Sequence, residues 1–181
     1  MKKIKLSKFY VPFLLCITMG CHIKEDKQKG LVYFNDLETS KGWVPNLRLT
    51  KSPVYSGIFS NRLDSEFVYG LTFKLRFKEI YRGPVKRVKF SMQCYLKTNS
   101  SKGKIVISVE TKFGKNVFWN AKKIKELTSE AEKWVELKGE FDIPQNNVWS
   151  PDNFISIYPW NEGKEEFFVD DFRIEFCTSS K

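Results

Sequence analysis

The sequence predicts an all-β protein, an antiparallel two-sheet β-sandwich of jelly-roll type, and three observations carry that expectation. Apolar and polar residues alternate from Leu71 to Lys78 and again from Val88 to Lys97, the period of strands with one buried face. Turn-forming clusters recur at short intervals between the apolar runs, at Lys41-Gly42, Tyr55-Ser56-Gly57, Arg82-Gly83-Pro84, Asn99-Ser100-Ser101, Phe113-Gly114-Lys115 and Glu162-Gly163-Lys164. Only Ala121 to Lys133 has helical composition, with Ile124, Leu127 and Ala131 three and four apart, so at most one short helix is expected. A parallel sheet needs a helix after nearly every strand, and the sequence has no room for them.

The chain opens on a segment that does not belong to the sandwich. Lys2, Lys3, Lys5 and Lys8 precede the apolar run from Phe9 to Ile17, and no acidic residue occurs before Glu25. A basic stretch followed by a short apolar one is the pattern of an export signal. The run is far shorter than the ~20 residues that cross a bilayer, and Pro12 interrupts it. Residues 1–20 therefore read as a signal peptide. The Thr18-Met19-Gly20-Cys21 that closes it resembles a bacterial lipobox, in which a small residue precedes a cysteine whose sulfur receives a diacylglycerol. Thr18 and Met19 depart from the aliphatic and small residues usual in such motifs. Cys21 is thus the expected lipid attachment, and residues 22–30 a polar tether. Lys24-Glu25-Asp26 resembles the export signal of Bacteroidetes surface lipoproteins, and a merely solvated linker is the alternative. Acylated protein would sit in the cell envelope, at the outer membrane on its surface or periplasmic face.

Beyond the tether, residues 31–177 form the predicted domain and 178–181 a short tail. In order, the expected strands are Leu31 to Phe34, Leu47 to Thr50, Leu71 to Lys78, Val88 to Lys97, Ile105 to Thr111, Val117 to Asn120, Trp134 to Phe141, Phe154 to Tyr158 and Phe167 to Phe176. Short, evenly spaced strands of this kind build sandwiches and barrels.

Composition removes several functions. The whole chain has 31 basic and 21 acidic residues, and loss of the four signal lysines leaves a net charge of +6. The lysines are dispersed and form no block, which fits solvated strand faces better than a phosphate track, so no nucleic-acid partner is expected. His22, in the tether, is the one histidine, which excludes a histidine-based triad or histidine-ligated zinc inside the domain. Only Cys94 and Cys177 fall in the domain. Strand alternation points Cys94 with Val88, Phe90, Met92 and Leu96, and gives Cys177 the parity opposite to Phe172, Ile174 and Phe176, so two separate thiols are favoured over a disulfide.

Five pieces of the domain carry a family resemblance: Tyr33-Phe34-Asn35-Asp36-Leu37-Glu38 followed by Gly42-Trp43; Tyr55-Ser56-Gly57-Ile58-Phe59-Ser60; Trp134-Val135-Glu136-Leu137; Asp152-Asn153-Phe154-Ile155-Ser156-Ile157-Tyr158; and Phe167-Phe168-Val169-Asp170-Asp171-Phe172. In this order and spacing they resemble the calcium-containing β-jelly-roll carbohydrate-binding modules of the xylan- and β-glucan-binding type, which have a galactose-binding-like fold. The resemblance implies a structural Ca2+ on Asp36, Glu38, carbonyls around Ser56 to Ile58, and Asp170 or Asp171. A hard ion seeking six to eight oxygens could be served so. Alternation places Asp170 on the packed side with Phe168, Phe172 and Ile174, where an unsatisfied carboxylate is costly, and Asp171 toward solvent. The competing reading has Asp36 and Glu38 in an ordinary turn and Asp170 beside a lysine.

The resemblance also implies noncatalytic polysaccharide binding through exposed aromatics. Trp43 and Trp134 match structural positions, which leaves Trp119, Trp149, Trp160 and Tyr95 as stacking candidates, with Gln93, Asn120 and Asn161 as hydrogen-bonding partners; the plainer alternative is that most of these rings plug the sandwich ends. A polysaccharide-degrading enzyme is disfavoured because no two-carboxylate strand pattern occurs and the domain lacks a histidine base. A structural or assembly lipoprotein that binds a protein partner through the same aromatics is the remaining alternative, and a monomer is expected, with polysaccharide-utilisation proteins as candidate partners. Convergence of Trp119, Trp160 and Tyr95 on one groove would separate these readings.

Overall fold

A computed structural model describes residues 31–39, 43–44, 48–146, 148–163 and 165–178. The signal peptide, Cys21, the tether and the last residues of the tail lie outside them. Among the described residues no helix is long and apolar enough to cross a membrane.

The chain folds as the predicted antiparallel sandwich. Eleven strands are described: β1 (Leu31–Asn35), β2 (Trp43–Val44), β3 (Arg48–Thr50), β4 (Ser60–Leu63), β5 (Thr72–Arg76), β6 (Val85–Leu96), β7 (Gly103–Glu110), β8 (Asn116–Lys123), β9 (Trp134–Asp142), β10 (Phe154–Asn161) and β11 (Phe167–Thr178). One sheet runs β3-β4-β11-β6-β9 with β1 also on β11, and the other runs β2-β5-β10-β7-β8. We call them the first and second sheets. Their inner faces meet in a core built on Phe73, Phe90, Met92, Ile105, Ile107, Ile155, Ile157, Phe172, Ile174 and Phe176, the alternate positions that the sequence pattern assigns to the buried side.

Two departures from the expected elements have local causes. The strand predicted to run to Lys78 stops at Arg76, and Phe77–Ile80 forms a single helical turn, α1. Its entry is fixed by the Arg76 N–H, which donates to the Glu79 carboxylate at 2.7 Å. The helix expected across Ala121 to Lys133 shrinks to Ile124–Leu127, α2, because β8 pairs with β7 as far as Lys123 opposite Lys104. Ile124 is fully buried, and Leu127 and Ala131 are partly buried against the same core, so the three apolar positions keep the role that the periodicity suggested.

The strand β4 has no hydrophobic alternation in its sequence, and polar burial explains it. Asn61 is fully buried and accepts the Leu71 N–H at 2.8 Å while its amide faces the Arg48 and Arg62 carbonyls at 3.4 and 3.3 Å. Its satisfied side chain links β4 to the approach to β5. Cys94 and Cys177 are free thiols, as the alternation predicts; both are buried, Cys177 despite its outward parity, and burial pushes both above the usual thiol range.

Candidate functional site

The outer face of the second sheet gathers rings and hydroxyls in one field. In β10 the residues between core positions are Phe154, Ser156, Tyr158 and Trp160. Ser156 pairs across to Ser108 of β7, which pairs to Trp119 of β8. On the other flank, Val68 to Gly70 extends the line of β5: Tyr69 bridges Trp160, and Asn161 and Gly70 donate N–H groups to the Val68 and Pro159 carbonyls at 2.7 and 3.0 Å. These pairings carry Tyr69 onto the face.

The rings form a chain. Tyr69 and Trp160 lie nearly parallel, 6.3 Å apart with 17° between planes; Trp119 stands edge-on to Trp160 at 6.5 Å and 82°; Tyr158 meets Tyr69 edge-on at 5.8 Å. Trp119 and Tyr69 remain 49% and 47% exposed, so about half of each ring is left for a ligand. Beside them a hollow of about 250 Å³ is lined by Tyr69, Thr72, Lys74, Ser108, Glu110, Ser156 and Tyr158. Burial pushes the Tyr158 phenol up, against the opposing influence of hydrogen bonds with the Trp119 indole and the Ser108 hydroxyl. The phenol thus stays neutral and keeps a proton to donate. Lys74 pairs with Glu110 at 3.1 Å, and Lys104 pairs with Glu162 at 2.7 Å while lying 5.0 Å over the Trp160 ring. Flat apolar rings beside neutral hydroxyls and fixed charges suit a ligand with both C–H and O–H faces.

Of the seven residues that the sequence nominated, the face brings together Trp119 and Trp160. Tyr95 and Gln93 lie on the outer side of the first sheet, since they alternate with the core residues Met92, Cys94 and Leu96 of β6. Tyr95 packs edge-on against Trp134 and Phe168. Trp149 packs against the core. Asn161 is 1% exposed and ties its own turn, donating to the Glu165 carbonyl and accepting the Gly163 N–H, each at 3.0 Å. Asn120 is exposed on the edge strand β8, with parity opposite to Trp119, and accepts the Ala121 N–H at 2.7 Å. Tyr69, Tyr158, Ser108, Ser156, Lys74 and Glu110 were missed. Alternation in Phe154-Ile155-Ser156-Ile157-Tyr158-Pro159-Trp160 could have found two of them, Ser156 and Tyr158, but Tyr69 sits in no periodic segment.

The four acidic residues of the expected metal site surround the loop before β4. Glu38 Oε1 accepts the N–H groups of Ile58 and Phe59 at 2.7 and 2.9 Å, and Asp36 accepts the Glu38 N–H at 3.1 Å. Asp170 Oδ2 accepts Tyr55 and Ser56 N–H groups at 3.1 and 3.3 Å, its Oδ1 accepts Asp171 N–H at 2.8 Å, and the Ser56 hydroxyl donates to Asp171 at 2.9 Å. Asp170 does not share the packed side with Phe172. A bulge between Asp170 and Arg173, with Asp171 at φ 47°, shifts the register of β11 against β6. Phe167 and Val169 enter the core before it and Phe172 and Ile174 after it, which leaves Asp170 beneath the loop and Asp171 half-buried against Ser56. Burial pushes the Asp170 carboxyl up despite its three donors. The donor chemistry fits a hard cation in kind, carboxylates next to loop carbonyls, although among the described residues no three acidic or thiol side chains converge on one point.

No family model matches the sequence, and no curated protein matches it. Solved structures share the fold. The CBM22-1 xylan-binding domain of Paenibacillus barcinonensis Xyn10C aligns at TM-score 0.50 and 18% identity, over 83% of this chain and 95% of its own. The CBM22-2 xylan-binding domain of the same protein aligns at TM-score 0.51 and 12% identity, over 81% and 99%. The CBM22-1 and GH10 modules of Clostridium thermocellum xylanase 10B, complexed with xylohexaose, align at TM-score 0.53 and 14% identity, over 84% of this chain and 29% of that longer one. At these identities the likeness is one of architecture: this chain has a β-sandwich similar to that of xylan-binding modules.

Proposed function

We propose that this protein is a noncatalytic polysaccharide-binding module held at the cell envelope by a lipid on Cys21. The observation that carries the binding is the ring chain Tyr69, Trp160 and Trp119 on one sheet face, flanked by the hollow of Ser108, Ser156 and Tyr158. Sugar rings would stack their C–H faces on the exposed indoles, while their hydroxyls exchange hydrogen bonds with the serines and the Tyr158 phenol. The Lys74–Glu110 pair would supply a charged donor and acceptor already held in place. Glu110 and Glu162 are each paired with a lysine, which suits groups held to contact a ligand. Xylan is the first ligand to try, because the similar modules are named for it.

A structural calcium ion belongs to the same reading. Glu38 and Asp171, with carbonyl oxygens of the Ser56 to Ile58 loop, would hold it, and Asp36 and Asp170 would brace the loop through the N–H groups they accept. The ion would fasten the loop to β11 and take no part in ligand chemistry. Cys21 acylation would hold the module stably at a membrane, since two or more acyl chains anchor stably where one does not.

Affinity electrophoresis of the secreted chain in gels containing xylan, β-glucan or other plant polysaccharides tests the binding. Retention is expected on at least one, and Trp119→Ala or Trp160→Ala should each weaken it about tenfold or more, the usual loss when a central aromatic is truncated. Tyr95→Ala should leave it unchanged. Absence of retention on every polysaccharide would overturn the glycan reading and turn attention to a protein partner.

A further inference from the structure

The most exposed large apolar side chain among the described residues is Phe113, 86% exposed, at the tip of the β7–β8 hairpin. Its turn is rigidly built. Thr111 donates its N–H to the Lys115 carbonyl at 2.8 Å and accepts the Gly114 N–H on its own carbonyl at 2.9 Å, while its hydroxyl accepts the Phe113 and Lys115 N–H groups at 3.3 and 3.2 Å. Gly114 takes the left-handed backbone that closes the turn, at φ 80°. Lys112 and Lys115 flank the ring and are exposed, with Lys112 Nζ 5.0 Å from its centre. A ring held out from a rigid turn between two lysines has apolar area to bury against another surface.

Position says what covers it. The hairpin turn follows Glu110, which pairs with Phe154, itself opposite Arg76 at the start of α1. Next to it Lys78 pairs with Asp152 at 2.7 Å, and Lys112 and Arg76 also hold the Asp152 carboxyl below its usual range, after the larger influence of Lys78. Lys78 in turn lines one hollow with Leu31, Tyr81 and Arg82. The Phe113 tip and Leu31, where the tether joins the sandwich, therefore lie at the same end of the molecule. That end carries Arg76, Lys78, Arg82, Lys112 and Lys115 against Glu79 and Asp152.

We propose that this end is a membrane-docking surface, with Phe113 inserted at the headgroup level of an anionic bilayer and the surrounding lysines and arginines resting on its phosphates. The inference rests on the Cys21 anchor read above. A ten-residue connection from Cys21 to Leu31 spans at most about 36 Å when fully extended, so a lipidated Cys21 keeps Leu31 within that reach of the bilayer and any shorter path of the tether brings this end closer. Aromatic residues favour that interface, and basic residues near an anionic surface each contribute about 1 kcal/mol. Lipid covers the ring, and the anchor turns a weak contact into an intramolecular one.

The test uses the lipidated full-length protein reconstituted into vesicles of phosphatidylcholine with phosphatidylglycerol, some carrying brominated acyl chains. Phe113→Trp adds an emission, read as the difference from the parent protein. Bromine should quench most of it, iodide in solution should not reach it, and Lys112→Glu with Lys115→Glu should reverse both results. An added emission that stays open to iodide and unquenched by bromine overturns the proposal while the acyl mass on Cys21 still upholds the anchor. Should the mass show no lipid, the anchor reading fails, and the unlipidated chain must then bind the same vesicles weakly and in a salt-sensitive way; lack of binding overturns the docking surface too. Loss of polysaccharide retention in Phe113→Asp, with no change in vesicle contact, would assign the tip to the glycan site and likewise overturn it.

Discussion

Asp64 carries a disproportionate share of the first sheet's edge. It is 6% exposed, its Oδ1 accepts the Glu66 and Phe67 N–H groups at 2.9 Å each, and its Oδ2 lies 3.1 Å from both Arg48 Nη1 and Arg62 Nε. Burial alone would push the carboxyl up; the two N–H donors and the two guanidiniums outweigh it and hold it below the usual carboxylate range. A carboxyl depressed on folding stabilises the fold above its unfolded pKa of about 3.9, and that contribution is lost as pH falls through the lower folded value. Asp64→Asn should therefore melt at lower denaturant at pH 7, by about 1–2 kcal/mol since both arginines are partly solvated, and the gap to wild type should narrow below about pH 4. A constant gap from neutral to acid pH would show that the charge of Asp64 is not what stabilises this edge.

At the scale of elements, the loop before β4 depends on one left-handed glycine. Gly57 has φ 64°, and a Cβ there would come within 2.5 Å of Glu38 Oε1, the atom that accepts the Ile58 and Phe59 N–H groups. Gly114 is equally left-handed, at φ 80°, but a Cβ there meets nothing within 4 Å. Gly114→Ala should cost only the backbone strain, about 1–2 kcal/mol. Gly57→Ala should cost about 1–3 kcal/mol more, the penalty for displacing a carboxylate from two amides. Equal losses in denaturant melts would mean that Glu38 does not secure the loop. The same scale shows what alternation could and could not reveal. Most of the long strands were legible because Phe73, Phe90, Ile105, Ile155 and Phe172 recur at period two with polar neighbours. The bulge at Asp171 was not, since nothing in Val169-Asp170-Asp171-Phe172 marks an extra residue, and a one-residue slip moves every following side chain to the other face. The strand β4 escaped because Ser60 and Asn61 are buried by hydrogen bonding. The site was half legible: Trp119 and Trp160 announce themselves as exposed rings on strands, whereas Tyr69 and Tyr95 can be assigned to a sheet only once the pairing of β10 and β6 is known.

For the whole molecule, the proposed ion predicts a global effect from a local change. If calcium joins the loop to β11, a chelator should lower the melting temperature of the intact protein and added calcium should restore it, since an ion at a hundredfold excess over its Kd stabilises by about 2.7 kcal/mol. Glu38→Gln should abolish the calcium response. An unchanged melt with chelator would leave Glu38, Asp170 and Asp171 as hydrogen-bond acceptors for the loop and nothing more. The loop would then be stitched to Glu38 and β11 by hydrogen bonds alone.

The pairing of β1 with β11 reaches further than stability. Leu31 stands opposite Phe176, two residues from Thr178, so the first and last described strands are neighbours and both meet the outside at one corner. A circular permutant that joins them through a short linker and opens the chain at the exposed Asn99-Ser100 turn would keep every strand pairing while moving the proposed point of lipid attachment to the opposite pole. If Cys21 carries the proposed lipid, such a molecule would stand upside down on its membrane, with the Trp160 end of the ring chain turned toward the bilayer and the Phe113 hairpin pointing away from it.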